Sequence, residues 1–457
     1  MQSTERIALL LSLAQPTSAE TTELRVLARD LSTKGEWPRL LELLKLNCIE
    51  AKALAALKAH EIAVPEPIEQ ALRSAREKIE AQNGSRIETG LPVLRALVAR
   101  GCDVVILKGN YLAGEVYADP YYKKMNDIDI LVRKRDLDAV HDIFQGAGLL
   151  SAAALSNESP RAQEKYSHHW PPFFTPDLKC VFGTHWGLAS PLSGVSIDYD
   201  KIWSRVIPFE FHGLPAFTLE PTDLLHHLCF HLPPYKTGLR ELGDIYNFIR
   251  TRRAEIDWGR LVREAIEWKT VDRLYYTLSL VQALDPSREA RAVLLKLEPL
   301  AAPFTRRETA VRVATPERIL VSRSTQISKI EKAYALFSLA RRPQEKAYFL
   351  YKMWRNFLAP KPAEVRKMNN LPENAGALAL LKAYGRNPAL ISRVFAQDMG
   401  WNVFVLITLR HHVDLMRSVG ESAVSWLRLA PPPALEDVFR AMGIRDDAIE
   451  NMEAVLE

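Results

Sequence analysis

Apolar positions recur three and four residues apart through the first part of the chain, the period of helices with one buried face. In "WPRLLELLKLNCIEAKALAALKAHEI" the series includes Leu40, Leu44 and Ala51, and Trp37-Pro38 suits a helix start. "PEPIEQALRSAREKIEAQN" predicts another helix, which "NGS" at residues 83–85 should break or bend. "IETGLPVLRALVARG" continues helically and should stop at Gly101, a glycine suited to a C-terminal cap.

The period then shortens. "CDVVILKG" is a β-branched apolar run closed by glycine and predicts a buried strand. "NYLAGEVYAD" reads as a short helix, "DPYYKKMN" as a loop and "DIDILVR" as a second strand. "DLDAVHDIFQGAG" predicts a helix capped by Asp136 and ending near Gly146 or Gly148. Strand, helix, strand and helix in close succession make an α/β unit. Farther on, "KCVFGTHWGL" predicts a strand and "FEFHGLPAFTL" a hairpin turning at His212-Gly213. From "EPTDLLHHLCFHL" onward the pattern is helical, with Thr222 or Asp223 as the first cap. The expected fold class is α+β with an α/β core. The expected organisation is an N-terminal helical region (1–83), a core (84–220), a helical domain packed on it (221–300) and a helical extension (301–457).

Composition narrows the picture only a little. The 457 residues suffice for a full hydrophobic core and more than one domain. A net charge of +5 permits an anionic partner without demanding one. Cys48, Cys102, Cys180 and Cys229 form no CxxC pair, which argues against a zinc site of usual spacing and against a disulfide scaffold. A reducing, cytoplasmic setting is the expectation. "MQSTERIALLLSLAQP" lacks the features of a secretory signal, and no run approaches the roughly 18 apolar residues of a spanning helix. No P-loop, dinucleotide-binding or hydrolase-elbow pattern occurs.

The chemistry gathers in "LKGNYLAGEVYADPYYKKMNDIDILVRK". Side chains alternate along a strand, so Asp127 and Asp129 share one face while Ile128 and Ile130 pack on the other. Two carboxylates this close repel unless a cation sits between them. Mg²⁺ (or Mn²⁺) suits such a pair, because it takes hard oxygen ligands and shares them with substrate phosphates. A bare DxD is more often just solvated. Here, however, Lys108, Gly109 and Asn110 close the preceding strand and open a helix, whose N-terminus attracts phosphate. Lys108 or the pair Lys123-Lys124 could reach a triphosphate as point charges.

The ordered set "VVILKG…YADPYYKKMNDIDILV…GAGL", "THWGL" and "DLLHHLCFH…LRELGDIYNFI" resembles the uncharacterised nucleotidyltransferase family of the polymerase-beta-like superfamily, over roughly residues 35 to 360. The resemblance implies a small mixed sheet flanked by helices. It also implies Mg²⁺-dependent transfer of a nucleoside monophosphate from an NTP to a hydroxyl or phosphate acceptor. Position by position, Gly109 and Asn110 match the phosphate turn, Asp127 and Asp129 the metal pair, and Lys123 a position often held by Arg. His185 and Trp186 match a hydrophobic-His-Trp stretch in which an acid usually stands two residues before the His; here that residue is Gly183. Three outcomes follow: a substitute group (His185, Asp198 or Asp200), catalysis with a single firmly held ion, or a catalytically impaired nucleotide-binding or scaffold protein.

Other candidates carry bland readings beside sharp ones. His227 and His231 share a helix face at zinc-helix spacing, but "LLHHLCFHL" is mostly apolar, which favours core histidines. His231 and Asp244 are candidates for the acceptor side. His168-His169-Trp170 reads as a surface loop, and Trp170 or Trp186 could stack on a base, although aromatics are more often packed. The basic, aromatic segment from Arg341 to Lys367 could touch RNA or form an amphipathic helix. The acceptor stays open among sugar, peptide, other small molecule and RNA.

Overall fold

The computed structural model describes residues 3–117, 119–151, 167–189, 195–232, 238–314 and 316–320, with a few positions between 371 and 385. The chain divides into two units, Met1–Thr325 with Pro432–Glu457 and Gln326–Pro431, and all that follows lies in the first. The basic segment 341–367 and nearly all of residues 375–457 lie outside the described residues.

Five helices come first: α1 (Ser3–Ser12), α2 (Ser18–Lys34), α3 (Trp37–Leu46), α4 (Glu50–Ala59) and α5 (Glu66–Ala99). Cys48, at φ 52°, parts α3 from α4. The break expected at residues 83–85 does not occur: α5 runs unbroken for 34 residues, so residue 83, the expected domain boundary, lies within it. The reason is tertiary. Asn83 is fully buried and turns its side chain onto a neighbouring loop, so its turn propensity is overridden. The helix ends before Gly101, whose φ of 87° gives the expected left-handed turn.

Seven strands follow among the described residues: β1 (Val105–Ile106), β2 (Ile128–Leu131), β3 (Leu150–Ser151), β4 (Phe173–Phe174), β5 (Val181–His185), β6 (Ile207–Phe211) and β7 (Leu214–Thr218). They form one sheet in the order β3-β4-β5-β2-β1-β7-β6. β1 runs parallel to β7 and β2 parallel to β5, while the other neighbours are antiparallel, so the sheet is mixed, as expected. The β6–β7 hairpin turns at His212 and Gly213, both at positive φ (49° and 75°), the pair of values a tight two-residue hairpin demands.

Between the strands lie α6 (Lys108–Glu115), α7 (Leu137–Gly146) and α8 (Tyr199–Arg205). Ile128, Ile130 and Val132 project from β2 and its end into a core shared with Leu94 and Leu97 of α5 and Val140 and Phe144 of α7. Asp136 stands at the N-cap position of α7 but makes no capping hydrogen bond. A helical layer completes the unit, including α9 (Pro221–His231), α10 (Leu239–Arg252), α11 (Trp258–Glu267) and α12 (Val271–Leu284). Glu220, rather than Thr222 or Asp223, caps α9: its carboxylate accepts from both of their backbone N–H groups, because Pro221 takes the first helical position. No helix among the described residues is long and apolar enough to cross a membrane.

Candidate functional site

Strand alternation places Asp127, Asp129 and Leu131 on the sheet face opposite the core. Parallel pairing sets Asp129 beside Gly183 and Leu131 beside His185 on β5. At the same end of the sheet β1 runs into α6, whose N-terminus has no side-chain cap, leaving its first N–H groups open to an anion. Asn110 ties the two together by donating from Nδ2 to the Asp127 carbonyl at 3.1 Å.

These elements open onto a cavity of about 250 Å³. Lys108, Gly109, Asn110, Lys123, Asp127 and Asp129 all line it, as do His231, Arg240 and Asp244. Its volume suits a phosphate tail and an ion rather than a whole nucleotide. His185 does not line it but stands behind Asp129.

The two carboxylates differ in surroundings. Asp129 is buried, and both of its oxygens are taken: Oδ1 by His185 Nε2 at 3.0 Å and Oδ2 by Lys108 Nζ at 3.0 Å. Burial pushes the Asp129 carboxyl up, but Lys108 and His185 outweigh it and hold the group below the usual carboxylate range. Asp127 has no hydrogen-bond or ion-pair partner for its carboxylate among the described residues. Burial, and then the charge of Asp129, push it up to about 6. Burial and the Lys108 charge bring His185 down to about 4, so the imidazole is neutral at pH 7. A carboxylate only accepts, so Nε2 carries the proton and Nδ1 is left bare; that atom is buried without a partner.

Gly183 explains how Asp129 reaches β5. A Cβ there would stand 2.3 Å from Asp129 Oδ1. With no side chain at 183, the Asp129 carboxylate leans into the vacant space and meets His185. Gly109 acts in a similar way: a Cβ would lie 2.9 Å from Lys123 Cε, so the glycine lets that lysine cross. Lys123 does not point freely at the cavity but pairs with Asp244, which also accepts from the Tyr117 hydroxyl at 3.0 Å.

Of the three substitutes for the missing acid, His185 meets Asp129, while the two aspartates lie elsewhere. Asp198 caps α8 by accepting from the Lys201 N–H at 3.2 Å, and Asp200 lines a different cavity beside Trp203 and Tyr199. His226 and His227 are buried, and His226 stacks on Trp268, as the core reading of that helix expects. Trp170 and Trp186 are buried with their rings edge to face, 5.9 Å apart, and neither lines the cavity beside the aspartates.

Three residues at the site were not singled out in the sequence. Arg240 lines the cavity and donates to the Lys124 carbonyl at 2.9 Å. Asn126 leaves Oδ1 buried without a partner, as Asn110 does. Asn83 holds the loop before the aspartates: Nδ2 donates to the carbonyls of Pro120 (2.9 Å) and Lys123 (2.8 Å), and Oδ1 accepts from the Met125 N–H at 3.1 Å. Only the adjacency of Asn126 to Asp127 was visible in the sequence as a signal.

The donor set suits one hard cation. Among the described residues no three His, Cys, Asp or Glu side chains gather to hold a metal. The partnerless Asp127 carboxylate and the orphaned amide oxygens of Asn110 and Asn126 are hard oxygen donors of the kind Mg²⁺ takes.

A family model described as an uncharacterised nucleotidyltransferase matches residues 33–285, more than half of the chain. No curated protein and no solved structure matches it.

Proposed function

The chain belongs to the uncharacterised nucleotidyltransferase family, and from that premise we propose that it moves a nucleoside monophosphate from an NTP to a hydroxyl or phosphate acceptor, using Mg²⁺ or Mn²⁺. The observation that carries this reading is the meeting, in one cavity, of an uncapped helix N-terminus and a carboxylate with no cationic partner. The open N–H groups of α6 and the Arg240 guanidinium bind the phosphate tail. Asp127, with the amide oxygens of Asn110 and Asn126, would hold the ion, which when bound neutralises phosphate charge and orients the tail. His185 donates from Nε2 to Asp129 and so positions that carboxylate. The wall formed by His231 and the Lys123–Asp244 pair faces the acceptor.

A second reading, a nucleotide-binding protein that does not turn its ligand over, draws on Gly183 and on the double engagement of Asp129. Titration calorimetry of ATP, GTP, CTP and UTP with Mg²⁺, beside a pyrophosphate-release assay, separates the two. Binding with release supports transfer; binding without release in any acceptor mixture supports the second reading. Asp127→Asn with Asp129→Asn should abolish Mg²⁺-NTP binding while circular dichroism stays unchanged, and undiminished affinity would remove the basis of both readings.

A further inference from the structure

We propose that this site holds one divalent cation rather than two, and that the Lys108 ammonium occupies the place of the second. The inference rests on the nucleotidyl-transfer reading and concerns how that site is charged.

A cation bridging both aspartates needs a free oxygen from each, at about 2.0–2.1 Å for Mg²⁺. Asp127 offers one. Asp129 offers less: Lys108 Nζ already neutralises its Oδ2 and His185 Nε2 donates to its Oδ1, each at 3.0 Å, so a bridging ion would have to share an oxygen with one of them and sit against the like charge of the ammonium. Lys108 is not a loosely tethered surface residue. Its side chain is 16 % exposed and that of Asp129 12 %, so the pair is shielded from water. Its backbone adopts φ 48°, a left-handed value that non-glycine residues take only where surrounding structure enforces it. Helix α6 begins at this residue, so the side chain springs from the helix N-terminus, and its ammonium is held by Asp129.

Gly183 belongs to the same arrangement. An acid there would add a third carboxylate, and its Cβ would displace Asp129 from His185. Without it the site has one fewer negative charge and needs one fewer positive charge. Two carboxylates with one divalent ion and one ammonium carry the same net charge as three carboxylates with two divalent ions. The glycine and the lysine are thus matching parts of one electrostatic balance.

Counting Mn²⁺ by electron paramagnetic resonance, in the full chain with α,β-methylene-ATP, tests this without turnover. Wild type should bind one Mn²⁺ per chain, with no spin-coupled signal. Lys108→Met should admit a second ion and show coupling between the two, while Lys108→Arg should stay at one. Lys108→Gln repeats the first variant with a polar side chain in case the methionine disturbs folding. Two ions in wild type would overturn the proposal, and so would a count of one in both neutral variants. No bound ion in wild type would instead overturn the nucleotidyl-transfer reading, and the inference with it.

Discussion

Among the described residues Asp127 has no partner for its carboxylate, whereas Asp129, two residues on, has an ion pair with Lys108 and a hydrogen bond from His185, and their titration differs accordingly. Asp127 sits at about 6, above its value in an unfolded chain, so the folded state favours the protonated form. Stability contributed by that proton is present at low pH and lost as pH rises from about 4 through about 6. Asp127→Asn removes the loss. Thermal unfolding should show the variant more stable than wild type by about 1–2 kcal/mol at pH 8 and equal to it near pH 4. The bound ion needs the charged form, so Mg²⁺-NTP affinity in wild type should fall about tenfold per pH unit below 6 and level off above it, as calorimetry across pH 5–8 would show. Gly183→Asp makes the complementary test. Its Cβ, 2.3 Å from Asp129 Oδ1, forces that carboxylate off His185 and adds a like charge. The ion-free variant should lose about 2 kcal/mol or more, and Mg²⁺ should raise its melting temperature by more than it raises that of wild type.

At the scale of elements, legibility followed the range of the forces. The β2 strand and the β6–β7 hairpin were readable because alternation and two turn residues specify them locally. Asn83 was not. "NGS" looks like a helix break in any window of sequence, and only the loop 120–125, some forty residues away, shows why the helix continues. The same limit applied to Lys108 and Lys123. Their charge was visible, but their partners Asp129 and Asp244 come from other elements, so neither could be told from a free phosphate ligand. Gly183 was seen as a missing acid, while the space it leaves for Asp129 required the β2–β5 register. Asn83→Ala removes three hydrogen bonds to a loop packed against α5 and should cost about 2–4 kcal/mol by chemical denaturation. Hydrogen exchange at the Met125 amide should speed up, and Mg²⁺-NTP affinity should weaken because Asp127 follows directly on that loop. Unchanged exchange at Met125 would show that the loop is held by something else.

Across the whole first unit, the cavity depends on helices far from it in sequence. Arg240 and Asp244 lie in the first half of α10, and the second half of that helix is gripped by the N-terminal region. Asn247 accepts from the Ala14 N–H at 2.7 Å and donates to the Ser12 carbonyl at 2.9 Å, and the Tyr246 hydroxyl meets that of Ser12. Arg250 binds Glu20 at 2.6 Å and Asp285 at 2.5 Å, joining α2 and the end of α12 through one guanidinium. Removing it leaves two partly buried acids facing each other, which costs more than the pair of contacts contributes. Arg250→Ala should therefore lose about 3 kcal/mol in chemical denaturation. Because the same helix carries one wall of the cavity, the loss should not stop at stability. Nucleotide affinity should drop under conditions where the variant is still fully folded, whereas Arg252→Ala, whose partners Glu115 and Glu255 are exposed, should leave both nearly unchanged. If Arg250→Ala destabilised the chain yet bound Mg²⁺-NTP as tightly as wild type, the N-terminal helices would be a support for the fold alone and not for the geometry of the site.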